Sequence, residues 1–183
     1  LNNKNILVFQ MIVTLNSLPG SNVEAISKLL ALQLGMKYLS KEVLLEKVAK
    51  KFKQSVNEIE KSIADEKFVE MLKEVISEEA KGAHIIIDWP FACWAASESV
   101  KIFLYVPQKA RADAITRKEK VPLADAKEKV SKEEDELRTR MLSLLGVNIY
   151  DAKNFDLVLN IDKLGIENTT SVIIKYLKGI KTR

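Results

Sequence analysis

The feature that most constrains this chain is the stretch over residues 12–34. There a β-branched run, Ile12-Val13-Thr14-Leu15, meets the turn Ser17-Leu18-Pro19-Gly20-Ser21 and then a helical pattern. The run has little polar alternation, which suits a strand buried on both faces of a parallel sheet. Residues 6–9 are a candidate extension on its N-terminal side. After the turn, Val23, Ile26, Leu30 and Leu34 recur at helical spacing and stop at Gly35, which gives one apolar helix face closed by a glycine.

The same alternation continues along the chain. Short apolar strands are expected at Tyr38-Leu39, 84–87, 100–106 and 157–160. Helical patterns fill 41–52, 56–63, 66–81, 109–118, 123–145 and 166–177, with glycines at 146, 165 and 179 marking ends. Short buried strands alternating with helices predict an α/β fold: a doubly wound, mostly parallel sheet of about five strands with helices on both faces. The 183 residues, 47% hydrophobic and 30% charged, suit a single soluble domain over 1–183 with a full core.

Composition excludes several chemistries. The lone Cys93 rules out an intramolecular disulfide and a cysteine-based zinc site, and the lone His84 rules out paired-histidine metal motifs and a Ser-His-Asp triad. No metal site is expected from the protein's own residues. Twenty-nine basic residues are interleaved with 25 acidic ones for a net charge of +4. This describes a mildly cationic surface compatible with an anionic small ligand, not a nucleic-acid-binding tail. No apolar run approaches the roughly 20 residues that span a bilayer. Residues 6–15 are interrupted by Gln10 and lack the cationic start and cleavage site of a signal peptide. A cytoplasmic protein without membrane contact is expected, and no motif names a protein partner.

A strand–turn–helix of this kind is where a phosphate-binding loop sits. Such a loop reads G-x-x-x-x-G-K-[ST]: glycines let amides close around phosphate oxygens, the lysine bridges the terminal phosphates and the hydroxyl ligates Mg²⁺. Here the positions are Ser17, Leu18, Pro19, Gly20, Ser21, Asn22, Val23 and Glu24, so both glycines, the lysine and the hydroxyl of the motif are replaced. Ser21-Asn22-Val23-Glu24 also reads as a capping box, with Ser21 capping the helix and Glu24 folding back onto the Ser21 amide, where it would take donors otherwise open to phosphate. The other reading leaves the Gly20 and Ser21 amides to hold a phosphate weakly.

Further candidates lie beyond the loop. Asp88 closes the third strand at the edge where open α/β sheets place ligands. It suits a Mg²⁺-bound water or a ribose hydroxyl, or equally a helix cap. Trp89, Phe91 and Trp94 suit a base-stacking wall or, more simply, core. His84 and Cys93 read as packing residues.

The order of elements and several strings resemble the cytidylate-kinase-like branch of the P-loop nucleoside monophosphate kinases. The strings are Val13-Thr14-Leu15 leading to Pro19-Gly20-Ser21, Leu34-Gly35-Met36-Lys37-Tyr38-Leu39, Phe103-Leu104-Tyr105-Val106-Pro107 with Ala110-Arg111, and Asn154-Phe155-Asp156-Leu157-Val158-Leu159-Asn160. The resemblance implies ATP and Mg²⁺ as cofactors of an active enzyme and CMP or dCMP as acceptor. It also implies a helical monophosphate-binding insertion at 40–82 and a lid-like segment at 117–146. By the same resemblance Ser17, Gly20, Ser21, Asn22, Val23 and Glu24 are the cofactor loop, Lys163 borders the adenine pocket, an exposed loop lysine being its plainer account, and Asp88 and Trp89 stand where substrate is held. Arg111, Arg138 and Arg140 are the candidate catalytic cations, with Arg117, Lys118 and Lys132 nearby; charges solvated among Glu133, Glu134, Asp135 and Glu136 are the plainer account of this cluster. The family's Gly-Arg after the third strand falls on Asp88-Trp89 or Trp89-Pro90, and the Gly-Gly-Arg-Glu loop of one branch is not matched by Asn22-Val23-Glu24-Ala25.

Two functions follow as expectations. One is a diverged nucleotide-binding or regulatory module that has lost phosphoryl transfer. The other is an active CMP/dCMP-type kinase using ATP-Mg²⁺ with lid arginines. A scaffold subunit is a third.

Overall fold

The computed structural model describes residues 11–63 and 65–180; the candidate strand extension at 6–9 lies outside them. The chain begins with strand β1 (Ile12–Ser17) and helix α1 (Glu24–Leu34), then β2 (Lys37–Leu39) and three helices, α2 (Lys41–Phe52), α3 (Val56–Ser62) and α4 (Glu66–Glu79). After β3 (Ile85–Ile87) come α5 (Pro90–Ala95), β4 (Val100–Tyr105), α6 (Gln108–Glu119) and the long α7 (Leu123–Leu145). A 3-10 turn at Ala152–Asn154, β5 (Leu157–Asn160) and α8 (Gly165–Gly179) complete it.

The five strands form one parallel sheet in the order β2-β3-β1-β4-β5. The chain leaves β1, passes over β3 to lay down β2, returns to β3, and only then crosses to β4 on the other side of β1. The order therefore reverses beside β1, and the loops at the carboxyl ends of β1, β3 and β4 open a crevice there.

Both faces of the sheet are covered, as the unalternating strand sequences require. On one face Val13, Leu15, Ile86, Ile102 and Leu104 pack with Ile26 and Leu30 of α1 and Ile173 and Leu177 of α8. On the other, Ile85 and Ile87 join Leu44, Leu45 and Val48 of α2, Ile59 of α3, Phe68 and Leu72 of α4, and Phe91 and Ala92 of α5. The helices of residues 40–82 thus share their core with the sheet. A small third cluster, Ala112, Ile115, Ala126 and Val130, joins α6 to α7.

Two elements differ from the expected pattern. Strand β1 runs on through Asn16 and Ser17, which pair with Phe103 and Leu104 of β4; pairing along a central strand overrides the poor strand preference of asparagine. Helix α5 forms in the apolar run after Trp89 with Pro90 in its first turn, where proline's fixed φ and missing N–H suit a helix start.

Candidate functional site

The turn from Leu18 to Val23 lies at the carboxyl end of β1. Ser21 donates its N–H to the Leu18 carbonyl at 3.1 Å. Gly20 at φ +80° and Asn22 at φ +47° then bring the chain into α1. A side chain at position 20 would meet Ile115 Cδ1 at 3.3 Å and Arg111 Cβ at 3.5 Å, so the glycine is needed both for its conformation and for close approach to α6.

The capping box expected at Ser21 and Glu24 is not formed. The N-cap of α1 is Val23, without a side-chain hydrogen bond, the Ser21 hydroxyl is buried without a partner, and Glu24 pairs with Lys28 at 2.6 Å in solvent. The left-handed Asn22 delays helix entry, so Glu24 occupies the first helical position instead of the third and cannot reach back. The same Ser-x-x-Glu spacing does form a capping box at Ser55 and Glu58, where no such kink intervenes. As a result, the N–H groups of Glu24, Ala25 and Ile26 have no acceptor among the described residues. They are the donors that a helix N-terminus offers to an anion.

Two clefts flank this loop, besides a third of about 640 Å³ that Gly20 and Asn22 share with Arg117, Lys118, Glu119, Lys129 and Glu133. One, of about 380 Å³, lies between the loop, α6 and the turn after β5; Ser21, Asn22, Ile26, Val106, Ala110, Asp113, Arg117, Ile161, Asp162 and Ile166 line it. It pairs apolar walls with the exposed Arg117, which forms no ion pair among the described residues. The other, of about 330 Å³, lies between the loop, the ends of β2 and β3 and Leu137 of α7; it contains Glu24, Tyr38, Ser40, Lys41, Glu42 and Asp88.

The second cleft is acidic. Tyr38 donates to Asp88 Oδ2 at 2.6 Å. Burial pushes the Asp88 carboxyl above its ordinary value and the nearby Glu24 and Glu42 reinforce this, against the Tyr38 hydrogen bond. Burial, then the bond to Asp88, also raises the Tyr38 phenol. A carboxyl whose pKa is raised by folding binds more protons in the folded state, so its cost is absent at low pH and grows as pH rises from its ordinary value through the raised one. Asp88→Asn, which keeps an acceptor for Tyr38, is therefore expected to stabilise the protein at pH 7 and not at pH 3. Urea unfolding at the two pH values checks the sign; equal effects at both would remove the strained carboxylate from this account.

The remaining candidates fall in different places. Arg111 is 2% exposed and is fully engaged: Nε donates to the Val106 carbonyl, Nη1 to the Pro19 carbonyl and Nη2 to Glu134. It underlies the loop without facing either cleft. Arg138 pairs with Asp135 and lies 5.5 Å from the centre of the Tyr150 ring. Arg140 is exposed beside Asp65 and Glu66 at the start of α4, in a separate depression that shares no residue with the two clefts. Trp89 is 5% exposed and packs on Phe68 and Phe91 in the core. Lys163 is exposed in the turn after β5, where its neighbours Asp162 and Gly165 line the first cleft and it does not.

Sequence reasoning grouped Arg117 with the other helix cations and left Tyr38 out. Arg117 follows Arg111 by six residues, a rotation of roughly 120° about the helix axis. That spacing was the available signal that the two serve different faces.

Comparison with known proteins decides the family. Residues 12–163 match the profile of the cytidylate kinase-like family. The chain belongs to the cytidylate kinase-like family. Archaeal proteins named cytidylate kinase from Pyrococcus horikoshii and Sulfurisphaera tokodaii are each 27% identical to it; the alignments cover 90% and 91% of this chain and 86% and 95% of theirs. Solved structures with the same fold include an uncharacterized protein from Eubacterium ventriosum, at TM-score 0.77, 19% identity and coverage of 94% of this chain and 100% of that one. Shikimate kinase from Bacteroides thetaiotaomicron superposes at TM-score 0.59, 13% identity and coverage of 92% and 98%. In this cytidylate kinase-like chain the start of α1 carries unengaged backbone donors, while Val23 and Glu24 stand where a phosphate-binding loop has its lysine and hydroxyl.

Proposed function

We propose that this member of the family binds a nucleotide through the loop, without efficient phosphoryl transfer, and acts as a binding or regulatory module. The observation that carries the proposal is the unengaged start of α1 beside a cation that is unpaired among the described residues. The N–H groups of Glu24, Ala25 and Ile26 have no acceptor among those residues, and Arg117 lines the α6 cleft with Asp113, itself paired with Lys109, and Asp162. By contrast, Glu24, Glu42 and Asp88 outnumber Lys41 in the β3 cleft, where an acceptor monophosphate would sit. The α6 cleft suits the phosphate tail of a nucleotide, with apolar Ile26, Ile161 and Ile166 for the rest of the molecule.

The donor set does not fit a resident Mg²⁺. The position of the metal-binding hydroxyl is Glu24, which is paired with Lys28, and among the described residues no three His, Cys, Asp or Glu side chains converge on a metal site. Any Mg²⁺ would have to arrive with the nucleotide. Residues 117–146 serve in this reading as a lid over the loop.

Arg117 favours a second reading, an active CMP- or dCMP-type kinase using ATP-Mg²⁺, since it is a cation at the right side of the loop. Arg111 and Arg138, however, are committed to other partners.

Thermal unfolding with ATP, with and without Mg²⁺, tests the binding. A ligand at 100 times its dissociation constant adds about 2.7 kcal/mol, a rise of about 5–11 °C for a domain this size. Arg117→Ala is expected to weaken the binding about tenfold. No shift at millimolar nucleotide overturns the nucleotide-binding reading, and robust ATP-dependent phosphorylation of CMP overturns the module in favour of the kinase.

A further inference from the structure

We propose that Arg111 is the positioning residue of the loop, and that its ion pair with Glu134 couples the loop's conformation to helix α7. A buried guanidinium must place its donors on acceptors, and Arg111 does so on three separate parts of the fold. The Val106 carbonyl, at 3.0 Å, is local and fixes the side chain against the end of β4. The Pro19 carbonyl, also at 3.0 Å, belongs to the loop. The Glu134 carboxylate, at 2.7 Å, belongs to α7.

Nothing cushions this arrangement. The backbone of Gly20 lies directly on Arg111 and Ile115, so the loop rests on α6 at the residue that holds Pro19. Glu134 is itself fixed, because the Tyr150 hydroxyl donates to its carbonyl at 2.9 Å. One turn further along α7, Leu137 lines the acidic cleft. Movement of α7 that draws Glu134 away leaves Nη2 buried and unpaired. The guanidinium must then turn to find an acceptor and cannot keep the Pro19 bond in place. A bulky ligand under Leu137 would thereby be sensed at the loop. That consequence for ligand binding rests on the nucleotide-binding reading above; the coupling itself does not.

A second ion pair between the same helices provides the control. Lys129 of α7 bonds Glu119 of α6 at 2.7 Å, is exposed, and, although the two border a cleft with Gly20 and Asn22, hydrogen-bonds no loop residue. The experiment is amide hydrogen exchange by NMR on the full chain without nucleotide, read at Ser21, whose N–H is held by Leu18, and at Ile102 in the core of β4. Losing a charge-assisted buried bond is expected to speed Ser21 exchange about tenfold in Glu134→Ala, with Ile102 unchanged. Glu134→Gln, whose amide oxygen still accepts from Nη2, should restore much of the protection, and Glu119→Gln should leave Ser21 as in the wild type. Arg111→Lys should resemble Glu134→Ala, and combining the two should add little.

The proposal is overturned if Ser21 exchange is unaltered in Glu134→Ala. It is equally overturned if Ser21 and Ile102 accelerate together, or if Glu119→Gln acts like Glu134→Ala. Because no ligand is present, failure of nucleotide binding leaves this result intact, and failure of the coupling leaves the nucleotide-binding test intact.

Discussion

Phe68→Ala will cost the fold about 3–5 kcal/mol and lower its melting temperature by about 6–20 °C. Phe68 is fully buried near the start of α4. Its ring meets Trp89 edge-on at 5.6 Å and Phe91 at 6.3 Å, so truncation removes buried area and two aromatic contacts at once. Leu44, Leu45, Val48, Ile59 and Leu72 close the same cluster, which continues into Ile85 and Ile87 of the sheet. Residues 40–82 therefore contribute to the central core instead of standing on it as an appendage. Calorimetry with urea unfolding measures the effect. A loss below about 1 kcal/mol would mean that the cavity collapses freely, and that the helical segment is only loosely tied to the sheet.

This part of the fold was legible in sequence because hydrophobic period carries it. The uniform runs Ile85-Ile86-Ile87 and Ile102-Phe103-Leu104 announce strands buried on both faces, and the glycines at 35 and 146 end their helices in left-handed conformations. Helix α5 was not legible, since Phe91-Ala92-Cys93-Trp94-Ala95 is apolar throughout and has no period to separate helix from strand. The loop was half legible. Residue types showed which phosphate-binding side chains are missing. They could not show that Asn22 would adopt a positive φ, so the Ser21–Glu24 spacing suggested a cap that the backbone does not permit. Arg111 could not be separated from its neighbours, because its partners Pro19 and Glu134 lie 92 and 23 residues away in the chain. A charge on a helix reads the same whether it faces solvent or bridges two elements.

Phosphoryl transfer from ATP-Mg²⁺ to CMP is expected to run below about 0.01 s⁻¹, against the 1–100 s⁻¹ of ordinary kinases. Each oriented donor removed from developing charge costs about 10²–10³ in rate. Here the loop lysine position is Val23 and the cation position after β3 carries Trp89 or Pro90, so two independent losses multiply to about 10⁴ or more. The variant Asn22→Gly, Val23→Lys, Glu24→Ser separates the two sides of the loop. Val23 is 7% exposed and packs beside Ile26 and Leu30, so a lysine stem can fill much of its place while the ammonium reaches the cleft. Removing Glu24 takes a negative charge from a helix N-terminus, the end that favours an anion. Nucleotide binding should tighten about tenfold or more, measured by calorimetric titration. The rate with CMP should rise by no more than about 10³, because Glu42 and Asp88 still line the β3 cleft and would repel a monophosphate entering it. Unchanged binding would show that the loop side chains are not what limits nucleotide affinity. Full recovery of rate would place the whole defect in the loop and make the acidic cleft irrelevant to transfer.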